Sequence, residues 1–111
     1  MEIKTVVTAL AALAQESRLT IFRLLVQTGP EGMPAGRISE CTGIAPSSLS
    51  FHLKEMRHAN MVTSRQEGRY VIYSANFDTM NHLLAYLTEN CCAGMSCTTD
   101  LHCSAGTASL E

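Results

Sequence analysis

The sequence predicts a mainly α-helical α+β fold with five helices and a two-stranded β-hairpin. Three observations support this prediction. Apolar residues recur at helical spacing near both ends of the chain, two short helical stretches in the middle are joined by a glycine-containing turn, and a β-rich stretch follows them. A chain of 111 residues can bury one compact core, so a single domain is expected.

The first two helices are marked by their apolar residues. Residues 5–14 are apolar over much of the helix circumference, which favours burial between two subunits. The second helix is predicted over residues 18–27 and ends at Gly29-Pro30, because glycine and proline terminate helices. Residues 31–35 are predicted to form a loop.

The two short central helices are expected over residues 36–41 and from Pro46 onward. The first is closed by Thr42-Gly43, and Pro46 suits the first position of the second, where its missing N–H would be unpaired anyway. At about 100° per residue, one face of the second helix is apolar and the opposite face is polar apart from one phenylalanine. The apolar face holds Leu49, Leu53 and Met56, and the opposite face holds Ser47, Phe51, Lys54 and His58.

The remaining elements follow at short intervals. Residues 61–66 and 70–74 are rich in Val, Ile, Thr and Tyr and predict a hairpin with Arg65 and Arg69 near its tip. Asn76 is the expected N-cap of a last helix over residues 77–90. Helix, turn, helix and hairpin in this order fit a motif whose second helix enters the major groove of DNA.

Composition limits the function classes. The net charge of −2 and the pI of about 6.0 argue against indiscriminate polyanion binding, although residues 37–69 carry five basic and only three acidic side chains. The hydrophobic fraction is 46% with 16% charged residues, which predicts an apolar interface and hence a dimer. No nucleophile, base and orienting group occur at helpful spacing, so an enzyme is not expected.

The N-terminal apolar run imitates part of a secretory signal. Residues 6–14 resemble its apolar region, but Glu2 cancels the charge of Lys4 that such a signal would need. No run approaches the roughly 18 apolar residues of a membrane span. We therefore expect a retained helix and a cytoplasmic protein.

These features resemble the ArsR/SmtB family of metal-responsive repressors, which are small dimeric winged helix-turn-helix proteins. The match covers about residues 9–90. It is carried by residues 14–19 (Ala-Gln-Glu-Ser-Arg-Leu), residues 47–54 (Ser-Ser-Leu-Ser-Phe-His-Leu-Lys) and residues 68–73 (Gly-Arg-Tyr-Val-Ile-Tyr). The resemblance implies a homodimer through the first and last helices, recognition of operator DNA by residues 46–59, a hairpin wing, and release of DNA when metal binds.

The candidate DNA-binding residues are exposed side chains of the recognition helix and the wing. The serines can contact phosphates or bases, the phenylalanine a thymine methyl, the lysine a phosphate or guanine, and the arginines the backbone. Each could instead be solvated surface, and the phenylalanine a protein contact. His52 flanks the apolar face and is expected to be packed or hydrogen-bonded. The set is Ser47, Ser48, Phe51, Lys54, Arg65 and Arg69.

Both metal sites familiar from the family look absent here. Pro34 and Gly36 stand where the arsenic-sensing motif of the family places cysteines before the recognition helix. The last helix offers only Asp78 and His82, whereas the family's zinc sites need Asp and several His. Cys41 is expected to be a buried hydrophobe facing inward.

Four of the five cysteines lie within the last 21 residues, as Cys91, Cys92, Cys97 and Cys103. Thiolates select soft ions, and As(III) takes three of them in a pyramid. Some relatives sense arsenite through C-terminal cysteines, and Cys91, Cys92 and Cys97 resemble that arrangement, with Cys103 as a substitute or fourth ligand.

The expected organisation is therefore a DNA-binding and dimerisation domain over residues 1–90 and a flexible cysteine-rich sensing tail over residues 91–111. As(III) is the expected inducer. Sb(III) remains open, as do Cd(II) and Zn(II), for which Cys103 or His102 could complete four ligands. Other readings are incidental thiols, a repressor that responds to thiol oxidation, and a winged-helix module that binds proteins or buffers metal without binding DNA.

Overall fold

A computed structural model describes residues 1–94, which form five α-helices and one small sheet. A single 3₁₀ turn, Cys91–Gly94, follows the last helix. The helices are α1 (Ile3–Leu13), α2 (Glu16–Thr28), α3 (Ala35–Thr42), α4 (Pro46–His58) and α5 (Phe77–Leu87), and the strands are β1 (Met33–Pro34), β2 (Val62–Glu67) and β3 (Tyr70–Ala75).

The core lies where α1, α2 and α4 meet. On each of these helices the buried side chains recur at helical spacing, so one stripe of each faces the others. α3 contributes Ile38, and the start of the hairpin contributes Met61 and Val62. The helical stripes are Val6, Ala9 and Ala12 on α1, Ile21, Phe22 and Leu25 on α2, and Leu49, Leu53 and Met56 on α4.

The sheet has three antiparallel strands in the order β1-β3-β2. The hairpin register places Val62 opposite Ala75 and Glu67 opposite Tyr70. The two-stranded prediction was therefore incomplete, because Met33, expected in a loop, pairs with Tyr73 of β3. A strand of two residues is too short to show the alternation that identifies strands in a sequence.

Gly32 explains how β1 approaches the hairpin so closely. Its φ of 73° lies in the left-handed region, and a Cβ there would collide with the Ser74 hydroxyl and the Tyr73 carbonyl. The loop is also tied to β3 by the Ser74 hydroxyl, which donates to the Pro30 carbonyl across 3.2 Å. Only glycine fits this position without displacing the strand.

The last helix confirms its predicted start but is shorter than expected. The Asn76 side chain accepts a hydrogen bond from the Thr79 backbone N–H, as an N-cap does. α5 ends at Leu87 rather than at residue 90, and Asn90 has a left-handed φ of 56°. No helix within residues 1–94 is long and apolar enough to cross a membrane.

Cys41 corrects another expectation, because its side chain is exposed rather than buried. Ile38 is the only buried side chain of the eight-residue α3. Near the end of that helix, Thr20 and Arg23 of α2 leave the side chain of Cys41 uncovered. They line with it a surface cavity of about 380 Å³.

Candidate nucleic-acid interface and metal site

The turn between α3 and α4 is fixed by its own polar side chains. The Ser39 hydroxyl donates to the Ile44 carbonyl at 2.6 Å, and the Ile44 N–H donates to the Thr42 hydroxyl at 3.2 Å. Gly43 takes the left-handed conformation that ends α3, with φ 77°. These bonds set the direction in which α4 leaves the turn.

α4 buries one face and presents the other, as the sequence predicts. Leu49 and Leu53 are each 1% exposed and Met56 is fully buried, which anchors the helix in the core. Phe51 is 57% exposed on the opposite side. The polar residues around it are exposed as well, namely Ser47, Ser48, Lys54 and His58.

The start of α4 leaves backbone donors open. Its N-cap is Ala45, which has no side chain to accept from the first turn, and Pro46 follows at the first helical position. The N–H groups of Ser47 and Ser48 therefore lack an intrahelical acceptor. A helix N-terminus with open N–H groups attracts anions such as phosphate.

Arg18 of α2 joins this surface, and sequence reasoning missed it. Its Nε donates a hydrogen bond to Nδ1 of His52 at 3.1 Å, and its guanidinium carbon lies 5.7 Å from the centre of the Phe51 ring. The Phe51 and His52 rings meet edge to face, 6.1 Å apart. Helical periodicity within α2 carries no signal for a contact with α4.

His52 is a hydrogen-bonded core residue, which confirms the prediction for it. Its side chain is 9% exposed, and Nδ1 must lack a proton to accept from Arg18. Burial, and then the positive charge of Arg18, lower the pKa of His52 below its ordinary value of 6.5. The ring is therefore held neutral.

The wing arginines differ in what they contact. Arg65 donates through Nε to the Glu67 carboxylate at 2.6 Å and through Nη2 to the Glu31 carbonyl at 2.7 Å. It thus ties β2 to the loop before β1. Arg69 and Lys54 are exposed and make no side-chain hydrogen bond or ion pair with any residue of the described part of the chain.

Cys91 and Cys92 begin the 3₁₀ turn that follows α5 after three intervening residues, and both are exposed. The Cys91 N–H donates to the Thr88 carbonyl at 3.0 Å, and the sulfur atoms of the two cysteines are 3.5 Å apart. Within residues 1–94 no three His, Cys, Asp or Glu side chains are grouped closely enough to hold a metal. The other predicted ligands, Cys97 and Cys103, and also His102, lie outside the described residues.

Comparison with known proteins identifies the family. Residues 13–65 match a family model described as a helix-turn-helix domain. The chain is 35% identical over 81 residues to the arsenical resistance operon repressor of Bacillus subtilis, which covers 73% of each protein. It is 32% identical over 80 residues to the nodulation protein NolR of Rhizobium meliloti, covering 72% of this chain but only 63% of NolR.

Solved structures agree with the fold. A homodimeric winged helix-turn-helix DNA-binding domain from Mycobacterium bovis is 27% identical, with a TM-score of 0.65 over 78% of this chain and 77% of that one. HlyU from Vibrio cholerae, also solved in reduced form, is 30% identical with a TM-score of 0.63 and covers 78% of this chain and 97% of HlyU. The chain belongs to the ArsR family of winged-helix, DNA-binding transcriptional repressors.

Proposed function

We propose that this repressor acts as a homodimer and leaves its operator when As(III) or a similar thiophilic ion binds the C-terminal cysteines. The observation that carries the proposal is the position of Cys91 and Cys92, whose sulfur atoms are 3.5 Å apart in the short turn that follows the last helix. The likeness to an arsenical resistance operon repressor supports the choice of ion.

The DNA-binding side of the proposal uses the exposed face of α4 and the wing. Ser47 and Ser48 offer hydroxyls and open backbone N–H groups to a phosphate, and Lys54 offers a charge nearby. Arg69 lies at the tip of the wing and, like Lys54, makes no side-chain hydrogen bond or ion pair within residues 1–94. We propose that it also binds a phosphate. Arg65 has a smaller part in DNA binding, because Glu67 and Glu31 already occupy its donors.

The dimer surface of the proposal is formed by α1 and α5. Ile3, Val7 and Leu10 lie on one stripe of α1, beside its buried stripe, and are 65%, 58% and 41% exposed. Leu84 and Leu87 of α5 are 51% and 54% exposed. Five large apolar side chains exposed on two helices are costly in water, and a second subunit is the simplest cover. The similar domain from Mycobacterium bovis is described as homodimeric.

The two cysteines are close enough to bind one soft ion once both sulfur atoms are reduced to thiolates. For ion–sulfur bonds of about 2.3 Å, as in zinc sites, a sulfur separation of 3.5 Å corresponds to an angle of roughly 100° at the ion. That angle suits the base of a three-coordinate pyramid. We propose Cys97 as the third thiolate, with Cys103 as its substitute or as a fourth ligand for Cd(II) or Zn(II). Bound this way, the ion would accept electron pairs from deprotonated sulfur.

A short chain of bonds connects this site to the dimer surface. Cys91 is bonded to Thr88 through its backbone, and the Thr88 hydroxyl donates to the Leu84 carbonyl at 2.8 Å. Leu84 belongs to the proposed interface. A change in the backbone conformation at Cys91 can therefore be transmitted through Thr88 to the contact between subunits. Changing the separation of the two recognition helices by this route requires a coupling of about 1–3 kcal/mol, which alters DNA affinity roughly 5- to 150-fold.

A DNA-release titration tests the proposal. A duplex selected by the reduced native protein from a random-sequence library is labelled, and its anisotropy is followed as arsenite, antimonite, cadmium or zinc is added. Release at the lowest concentrations by arsenite or antimonite is expected. If none of the four ions releases DNA, the sensing proposal is wrong, whereas failure to select any duplex would instead contradict DNA binding.

The second candidate signal is thiol oxidation. The likeness to HlyU favours it, because that protein has also been solved in a reduced form. The same titration with hydrogen peroxide in metal-free buffer separates the two. Release by peroxide alone, reversed by a thiol reductant, would identify a redox-responsive repressor. Release by arsenite in an excess of reductant would identify the metalloid sensor.

A further inference from the structure

Arg18 lies outside the helix-turn-helix pair α3 and α4, yet both of its contacts are with α4. Its Nε is bonded to His52 and its guanidinium is stacked over Phe51. An arginine normally loses side-chain entropy when it binds a ligand. These two contacts already hold the guanidinium in place, so less remains to be lost.

The remaining donors of Arg18 have no acceptor among the described residues. A guanidinium has five N–H bonds, and only the one on Nε is used here. Glu55 and His58 line the same surface cavity as Arg18, between α1 and α4, but no ion pair forms between Arg18 and Glu55. The two Nη atoms are therefore available to an external acceptor.

We propose that Arg18 is a phosphate-binding residue of the DNA interface and that Phe51 and His52 are its positioning residues. Phosphate is the fitting acceptor, because planar guanidinium donors match its oxygens. This inference rests on the proposed function, in which the adjacent face of α4 is the one that meets DNA. Phe51 then acts through Arg18 rather than by meeting a thymine methyl. One face of its ring supports the guanidinium, which accounts for a phenylalanine 57% exposed on a polar helix face.

The test compares salt dependence of DNA binding for Arg18→Gln, Arg18→Lys and the control Arg23→Gln, which removes an exposed arginine from the same helix. Each phosphate contact contributes about 0.9 to the slope of log K against log salt. Arg18→Gln should therefore make the slope shallower by about 2 per dimer and weaken binding at low salt by at least roughly 10-fold. Arg18→Lys and Arg23→Gln should keep the native slope.

A salt slope that stays native in Arg18→Gln would overturn the proposal, even if affinity falls, because Arg18 would then only support the helix. Thermal unfolding of each variant shows whether it is folded. Should Arg18→Gln fail to fold, Phe51→Leu is compared on the selected duplex and on a random-sequence duplex. Equal loss on both supports a phosphate contact, whereas loss on the selected duplex alone contradicts it.

A double-mutant cycle of Arg18→Gln with Phe51→Leu tests the positioning role of Phe51. If the ring acts through Arg18, Phe51→Leu should have little further effect once Arg18 is gone. Additive losses in the double variant would mean that Phe51 contacts DNA by itself and would contradict the positioning role.

Discussion

Nδ1 of His52 accepts a hydrogen bond from Nε of Arg18 across 3.1 Å, so the recognition helix is joined to α2 by a histidine that must stay neutral. Protonation of Nδ1 would remove the acceptor and place two positive charges side by side. The pKa of His52 is lowered by burial and by Arg18, which prevents this at neutral pH.

The pH dependence of stability follows from that lowered pKa. Between the folded pKa and the ordinary 6.5, the unfolded chain binds more protons at His52 than the folded chain does. The free energy of unfolding should therefore fall as pH decreases below about 6.5 and through the folded pKa. Urea unfolding at one protein concentration, between about pH 7.5 and about pH 5, measures how the free energy of unfolding changes with pH.

His52→Gln should flatten this pH dependence, because glutamine does not titrate and can still accept from Arg18 through its amide oxygen. The matched control is His82→Gln, which changes an exposed histidine of α5 and should keep the native slope. Parallel pH profiles for native protein and His52→Gln would contradict the assignment.

Leu53 and Lys54 are neighbours in sequence whose replacement should separate folding from DNA binding. Leu53 is 1% exposed in the core, so Leu53→Ala should lower the free energy of unfolding by about 2–5 kcal/mol. Lys54→Ala should leave unfolding within about 0.5 kcal/mol of native but weaken DNA binding and make its salt slope shallower. Native DNA affinity in Lys54→Ala would remove this lysine from the interface.

Gly32 and Gly68 both have positive φ but different surroundings. Gly32→Ala should lower the free energy of unfolding by more than the roughly 1–3 kcal/mol of backbone strain, because its Cβ meets Ser74 and Tyr73. Gly68→Ala, at φ 61° in open space at the tip of the wing, pays the strain alone. Chemical unfolding measures which variant loses more free energy of unfolding. Equal losses would mean that β1 can move away from the added Cβ without destabilising the protein.

The proposed dimer surface predicts a change of assembly state. Val7→Glu should place a charge in the centre of the α1 stripe and produce monomers, measured by sedimentation equilibrium. Tyr70→Glu is the control, because Tyr70 is 62% exposed on the wing, away from that stripe. A Val7→Glu protein that remains as dimeric as the native chain would place the interface elsewhere.

The sequence predicted the elements whose signals are local. The apolar stripe of α4 at Leu49, Leu53 and Met56, the Asn76 cap and the hairpin were all visible as periodicity or as residue type. β1 was missed because two residues carry no period. Cys41 was misplaced because α3 is so short that the amphipathic pattern says little about its last turn.

The contacts of the candidate site were harder to predict because they join distant parts of the chain. Arg18 and His52 are 34 residues apart, and Arg65 bonds the Glu31 carbonyl at the same separation. The position of either arginine in the sequence does not indicate which residue it contacts. The sequence therefore predicted which residues are exposed on α4 and the wing, but not that Arg65 is occupied by the protein or that Arg18 lies beside Phe51.

The most direct test of the sensing proposal is arsenite titration of the DNA-bound, reduced protein, comparing native chain with the double variant Cys91→Ser/Cys92→Ser and the control Cys41→Ser. If the sensing proposal is correct, native protein and Cys41→Ser release DNA as about one arsenic binds per subunit, and the double variant keeps its DNA throughout. Release of DNA from the double variant at the same arsenite concentration as from the native protein would contradict it.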